Sequence, residues 1–207
     1  MAEVIKEYPN LLVISDEIYE HINFTGEKHF SIGSIQSVKD QIVTVNGMAK
    51  GFAMTGWRIG YMGAPLWLAK ACNKLQGQFT SGANAAAQKA SEIALNAPLD
   101  ESYKMRDSFL KRRDLFLELL GKIDGLKLNV PEGAFYVFPD VSSYFGKTID
   151  GVTINNANDF SMFLLEKANV ATVTGGAFGA PNCIRLSYAA STEELKEAFK
   201  RIATILN

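Results

Sequence analysis

The passage from Gln41 to Gly63 constrains this chain most. An apolar, strand-like segment, Gln41-Ile-Val-Thr-Val45, opens into small and flexible residues around Gly47, Ala49 and Gly51. The chain returns as Arg58-Ile-Gly-Tyr-Met-Gly63, another short strand, stopped by Ala64-Pro65. One lysine, Lys50, therefore sits in a tight, otherwise uncharged loop delivered by the end of a strand. An ammonium held there is partly desolvated, which lowers a lysine pKa and makes the amine a usable nucleophile. Arg58, eight positions later, is a fixed positive charge suited to gripping a phosphate or a carboxylate. The plainer alternative is a surface lysine and an ion-paired arginine on a glycine-rich loop.

Upstream, Ala2 to Glu7 reads as the last turns of a helix ended by Tyr8-Pro9-Asn10. A helix so short and without a capping residue is expected to be the tail of a larger protein. Leu11-Leu-Val-Ile14 is a continuous apolar run of the kind that makes a strand covered on both faces. It ends in Ser15-Asp-Glu-Ile-Tyr19, and in open α/β sheets ligands bind beyond the carboxyl ends of such strands. Asp16 is thus placed to pair with a protonated heterocyclic nitrogen, and Tyr19 to hydrogen-bond an oxyanion; the alternative for Asp16 is a cap on the next turn. Asp16 and Glu17 do not make an acid/base dyad, because neighbours in a strand point to opposite faces.

Downstream, helices are expected over Leu66 to about Gln76, with Pro65 as the first residue, and over Asn84 to Leu95. A boundary falls near Ala97-Pro98, separating residues 1–97 from 98–207. From Leu99 a long amphipathic helix runs to Gly121. Leu126–Val130 and Ala134–Phe138 then suggest two strands joined at Pro131-Glu-Gly133. After a loop rich in Gly, Asn and Ser come a helix from about Ala157 to Lys167 and strands at Val170–Val173 and Cys183–Tyr188. A last helix, Glu193–Leu206, is capped by Thr192. The first part is α/β and the second α+β.

Arg185 lies in the otherwise apolar run Cys183-Ile-Arg-Leu-Ser-Tyr188, and a guanidinium there needs an anion because it cannot shed its proton. A protein carboxylate and a substrate carboxylate both fit. The glycine-rich stretch Gly175–Pro181 matches no phosphate-binding spacing and reads as a loop bending toward a site. His21 and His29 fit no metal or triad pattern and read as structural or solvent-exposed, and Phe135, Tyr136 and Phe138 read as core.

Composition narrows the partners. Twenty-one lysines and arginines against 22 acids leave a formal net charge of -1, which argues against nucleic acid and against an anionic membrane surface. No apolar run approaches the roughly 18 to 20 residues of a membrane helix, and the start carries acids where a signal peptide is basic then apolar. Cys72 and Cys183, far apart, are expected to be free thiols in the cytoplasm.

Taken in order, Ser15-Asp-Glu-Ile-Tyr19, Asn46-Gly-Met-Ala-Lys50, Ala53-Met-Thr-Gly-Trp-Arg-Ile-Gly-Tyr61, Pro131-Glu-Gly-Ala-Phe-Tyr136 and Ile184-Arg-Leu-Ser-Tyr188 resemble the class I and II aminotransferases of pyridoxal phosphate fold type I, the aspartate aminotransferase-like branch. The resemblance covers only about the C-terminal half of such an enzyme: the end of the large cofactor domain, then the small domain. It implies that Lys50 bonds to pyridoxal 5'-phosphate and carries the proton, that Asp16 keeps the pyridine nitrogen protonated, and that Tyr19 bonds the 3'-oxygen. It further assigns Arg58 to the cofactor phosphate and Arg185 to the substrate α-carboxylate. Implied substrates are an L-amino acid, with aspartate the best guess, and a 2-oxo acid such as 2-oxoglutarate; a homodimer is implied too. The alternatives are a C–S lyase chemistry on the same fold, or a module without activity. Ala49 stands where the family usually has serine, which removes a phosphate-side hydrogen bond of about 1–2 kcal/mol.

Overall fold

The computed structural model describes residues 1–206. In chain order its elements are helix α1 (Ala2–Lys6), strands β1 (Val13–Asp16), β2 (Ile42–Gly47) and β3 (Gly60–Gly63), and helices α2 (Leu66–Phe79), α3 (Ala85–Asn96) and α4 (Asp100–Leu120). Then follow β4 (Tyr136–Val137), β5 (Lys147–Ile149), β6 (Val152–Ile154), α5 (Ala157–Ala168), β7 (Val173–Thr174), β8 (Ile184–Ser187) and α6 (Thr192–Leu206). By internal contacts the chain divides into two units, one ending at Met105 and one beginning at Arg106.

The first unit is built on a three-stranded sheet of order β1-β2-β3, with β2 parallel to β1 and antiparallel to β3. One packed cluster in it buries Ile5, Val38 and Ile42, with Val13, Ile32 and Ile35 against them, and Ile22, Val43 and Met48 are buried as well. The Gln41 amide ties the end of α1 to this cluster by donating to the carbonyls of Tyr8 (2.8 Å) and Leu11 (3.0 Å). The first strand departs from expectation. It spans Val13–Asp16 rather than starting at Leu11, and only alternate residues turn inward, so Ile14 is 72% exposed. Pro65 caps α2 from outside rather than opening it, and the Asn84 side chain caps α3 by accepting from the Ala87 amide at 3.0 Å.

The second unit closes a core of its own. Strands β4, β8 and β7 form an antiparallel sheet in that order, and α5 packs on α6, β6 and β7. Phe116, Phe160, Phe163, Leu164, Ile184 and Tyr188 are all buried to within 2% of full cover. The two late sequence signatures meet here. Tyr188 donates its hydroxyl to the Ala134 carbonyl (3.2 Å) and its amide to the Phe135 carbonyl (2.9 Å). Burial, above all, pushes the Tyr188 phenol far above its ordinary range.

Three expectations for this unit are corrected. Leu126–Val130 is not a strand: it meets its neighbour only through the Lys127–Asp140 bridge, and the Asn129 side chain takes the Phe138 amide that a ladder would have used. The Gly-, Asn- and Ser-rich loop contains the β5–β6 hairpin, turned by Asp150 and Gly151 at φ 48° and 75°. Ser191, not Thr192, caps α6: it accepts from the Glu194 amide (3.2 Å) while Glu194 accepts from the Ser191 amide (2.9 Å).

Candidate active site

Sheet topology brings three charged side chains to one end of the first unit's sheet. Asp16 closes β1 and stands opposite Val45 in the parallel register, so the carboxyl ends of β1 and β2 lie side by side. Lys50 follows the end of β2 by three residues. Because β3 runs antiparallel, with Gly47 opposite Gly60, its beginning returns to the same end and carries Arg58 there.

The lysine loop is tightly closed. The Met48 amide donates to the Ile59 carbonyl (3.2 Å), Met54 to Met48 (3.1 Å) and Ala53 to Lys50 (3.1 Å). Two of its glycines are required by close approach. A Cβ on Gly47 would come 2.8 Å from the Ile59 carbonyl oxygen, and one on Gly51 would come 2.8 Å from the His21 ring. Ala53 and Arg58 both adopt positive φ, at 54° and 55°, so the loop holds strained backbone on either side of its exit. Arg58 is exposed, and its Nη1 donates to the Thr55 carbonyl at 3.0 Å. Lys50 and Tyr19 are partly buried. His21 packs edge-on against Phe52, with ring centroids 5.3 Å apart.

Asp16 is exposed, and its Oδ1 accepts from the Ile18 amide at 3.2 Å, a local turn cap. Its neighbour Glu17 points the opposite way and is 8% exposed. That buried carboxylate accepts from Ser15 Oγ (2.9 Å) and Ser31 Oγ (2.8 Å), and His29 Nε2 lies 2.8 Å from its Oε2. Burial by itself would raise the Glu17 carboxyl; the bonds from His29, Ser31 and Ser15 outweigh it and hold the group below the usual glutamate range. Sequence reading missed this cluster because its members are up to fourteen residues apart. The alternation of faces along β1 was the available clue.

Arg185 belongs to the second unit, on β8. Among the described residues no carboxylate pairs with it; its guanidinium carbon lies instead 4.4 Å from the Tyr136 ring centroid and 4.5 Å from that of Phe178. Tyr136 is therefore a partner of this arginine rather than core, whereas Phe135 is buried as expected.

Asp16, Lys50 and Arg58 thus lie at the carboxyl end of an α/β sheet, the end at which ligands of such sheets bind. Comparison with known proteins gives the family. The sequence model of aminotransferases of class I and II matches residues 1–202, and the chain belongs to that family. A bifunctional aspartate aminotransferase and glutamate/aspartate-prephenate aminotransferase of Petunia hybrida is 48% identical over all of this chain and 44% of its own length. The crystal structure of the aspartate aminotransferase from Rhizobium meliloti superposes with a TM-score of 0.94 at 44% identity, covering 99% of this chain and 52% of that one. An aromatic aminotransferase from Pyrococcus horikoshii superposes with a TM-score of 0.89 at 36% identity, covering 99% and 53%. The chain spans about half the length of the relatives it matches. Among the described residues no helix is long and apolar enough to cross a membrane.

Proposed function

We propose that this chain is the catalytic-lysine half of a pyridoxal phosphate-dependent aminotransferase that moves an amino group from an L-amino acid to a 2-oxo acid. The observation that carries this reading is the meeting of Asp16, Lys50 and Arg58 at one sheet end. That donor set fits pyridoxal phosphate: a carboxylate for a ring nitrogen, a guanidinium for a phosphate and an amine for an aldehyde. When bound, the cofactor supplies the aldehyde that takes up the amino group and the ring that accepts the electron pair.

The chain's own groups then have distinct roles. Asp16 holds a proton on the ring nitrogen, Tyr19 donates to the 3'-oxygen, and Arg58 anchors the phosphate. Lys50 Nζ would take the proton from the substrate Cα as a base and, as an acid, deliver it to the carbon on the other side of the transferred nitrogen. Arg185 binds the substrate α-carboxylate, a role supported by the lack of any protein carboxylate paired with it among the described residues. Aspartate as donor extends the same reading from the names of the relatives, and 2-oxoglutarate as acceptor and a homodimer in the cytoplasm go with the reading. Residues 1–97 belong on this reading to the cofactor-binding domain and 98–207 to the small domain.

Borohydride reduction in the presence of pyridoxal phosphate, followed by peptide mass spectrometry, tests the assignment. The expected product is a pyridoxyl group on Lys50, absent in Lys50→Ala; label elsewhere with Lys50 clean would refute it. The 207-residue chain alone is expected to show no appreciable transamination, since it spans about half of an aminotransferase.

A further inference from the structure

Arg185 is held by rings on two elements far apart in sequence. Tyr136 stands opposite Ser187 in the β4–β8 register, so Arg185, two residues back along β8, is its diagonal neighbour on the same face. Phe178 arrives from the glycine-rich loop. There the Gly175 amide donates to the Cys183 carbonyl (2.7 Å) and the Ala180 amide to the Gly175 carbonyl (3.0 Å). A Cβ on Gly175 would lie 2.2 Å from the Ala180 carbonyl oxygen, so only glycine closes this turn. Phe138 meets the Phe178 ring edge-on at 6.0 Å, yet Phe178 stays half exposed.

We propose that Tyr136 and Phe178 are positioning residues that clamp the Arg185 guanidinium and thereby set its affinity for a carboxylate. A guanidinium projects its N–H groups in its own plane. With its carbon over two rings the guanidinium loses water there, while its N–H groups, paired with no protein carboxylate among the described residues, remain for a forked grip on a ligand carboxylate. A carboxylate partner from the protein would occupy that edge; aromatic partners immobilise the cation without competing for it. The glycine-rich loop, which carries no phosphate-binding pattern, thus acquires a purpose: it delivers Phe178. This inference rests on the reading of Arg185 as a carboxylate binder.

The test uses the full chain, nitrogen-15 labelled and titrated with succinate as the carboxylate probe, reading the Arg185 Nε–Hε resonance by NMR. Phe178→Ala and Tyr136→Leu are each expected to weaken succinate binding about 3- to 30-fold and to raise the mobility of the Arg185 side chain before any ligand is added. Phe178→Tyr, which keeps a ring, is expected to restore both, a rescue that a purely structural role for the loop would not require. Arg185→Lys, in which binding is followed by isothermal titration calorimetry with succinate because the Nε–Hε resonance is gone, is expected to lose succinate binding. Wild-type affinity and order of Arg185 in Phe178→Ala would overturn the clamp while leaving the carboxylate reading intact. Wild-type affinity in Arg185→Lys, or no response to succinate in the wild-type chain, would overturn the carboxylate reading and the clamp's purpose with it.

Discussion

Helices α2 and α5 both carry large apolar side chains, and the chain treats them in opposite ways. Over its 12 residues α5 buries Phe160, Phe163 and Leu164 almost completely. The 14 residues of α2 include no buried side chain, and Leu66, Trp67, Leu75 and Phe79 are 60% to 83% exposed. The sheets differ at one strand: Val137, Ile184 and Leu186 of the second unit and Ile42 and Val43 on β2 of the first are buried, while every residue of β3 is exposed. Both outer strands of the first unit's sheet also leave an edge unpaired, and one of its two pairings is parallel. Parallel pairs normally have both faces covered, and soluble monomers rarely leave contiguous apolar surface of this kind bare. The first unit thus leaves α2 and β3 bare, while the second covers α5 and β8.

The sharpest way to break this comparison is to truncate one aromatic in the second unit's core. Phe160→Ala removes a ring that stacks on Tyr144 at 4.8 Å, and it is expected to cost about 3–5 kcal/mol. Hydrogen exchange at the α5 and β8 amides reads the loss locally. A cost below about 1 kcal/mol would mean that this core is no better packed than the first unit. Next in size is Gly175→Ala, which forces a methyl against the Ala180 and Cys183 carbonyl oxygens, 2.2 and 2.5 Å from the ideal position, and is expected to cost about 1–3 kcal/mol. Unchanged exchange at Thr174 to Ile184 would count against the tight turn.

The same contrast explains what could be read in advance. Both units announce their strands and helices through short apolar runs, caps and breakers, and α3, α4 and α5 fall within a residue or two of their expected limits. Asp16, Lys50 and Arg58 were legible as a group because each sits at a strand end, and topology carries strand ends together. Burial was less legible: Leu11 to Ile14 has the composition of a doubly covered strand, but cover depends on what packs beside it, which no local pattern encodes. The β5–β6 hairpin was overlooked although Asp150-Gly151 is a strong turn signal. The partners of Glu17 and of Arg185 lay beyond reach for a different reason. Nothing in a lone phenylalanine among glycines says that its ring lands on a guanidinium seven residues later.

The buried Glu17 cluster predicts a pH response that can be read in the first unit. Glu17 titrates below its ordinary value of 4.5 in the folded chain because His29, Ser31 and Ser15 stabilise the carboxylate against its burial. A depressed folded pKa means that stability is present in full above pH 4.5 and is lost as pH falls through the folded value. Glu17→Gln has no such titration. Both tryptophans, Trp57 and Trp67, lie in the first unit, so their fluorescence follows its unfolding. The stability advantage of wild type over Glu17→Gln is expected to shrink below pH 4.5, and a constant difference from pH 7 to pH 3 would remove Glu17 from the account.

The smallest expected effect is the other half of the comparison. Phe79 is 83% exposed at the end of α2, so Phe79→Ala deletes a ring that touches little of the folded chain. Its cost, read by tryptophan fluorescence in denaturant, is expected to stay within about 0.5 kcal/mol. Light scattering is expected to change more than stability does, because an exposed ring one turn from the exposed Leu75 favours association between copies. A loss approaching that of Phe160→Ala would show Phe79 to be packed in solution, and the first unit would then hold a core as complete as the second.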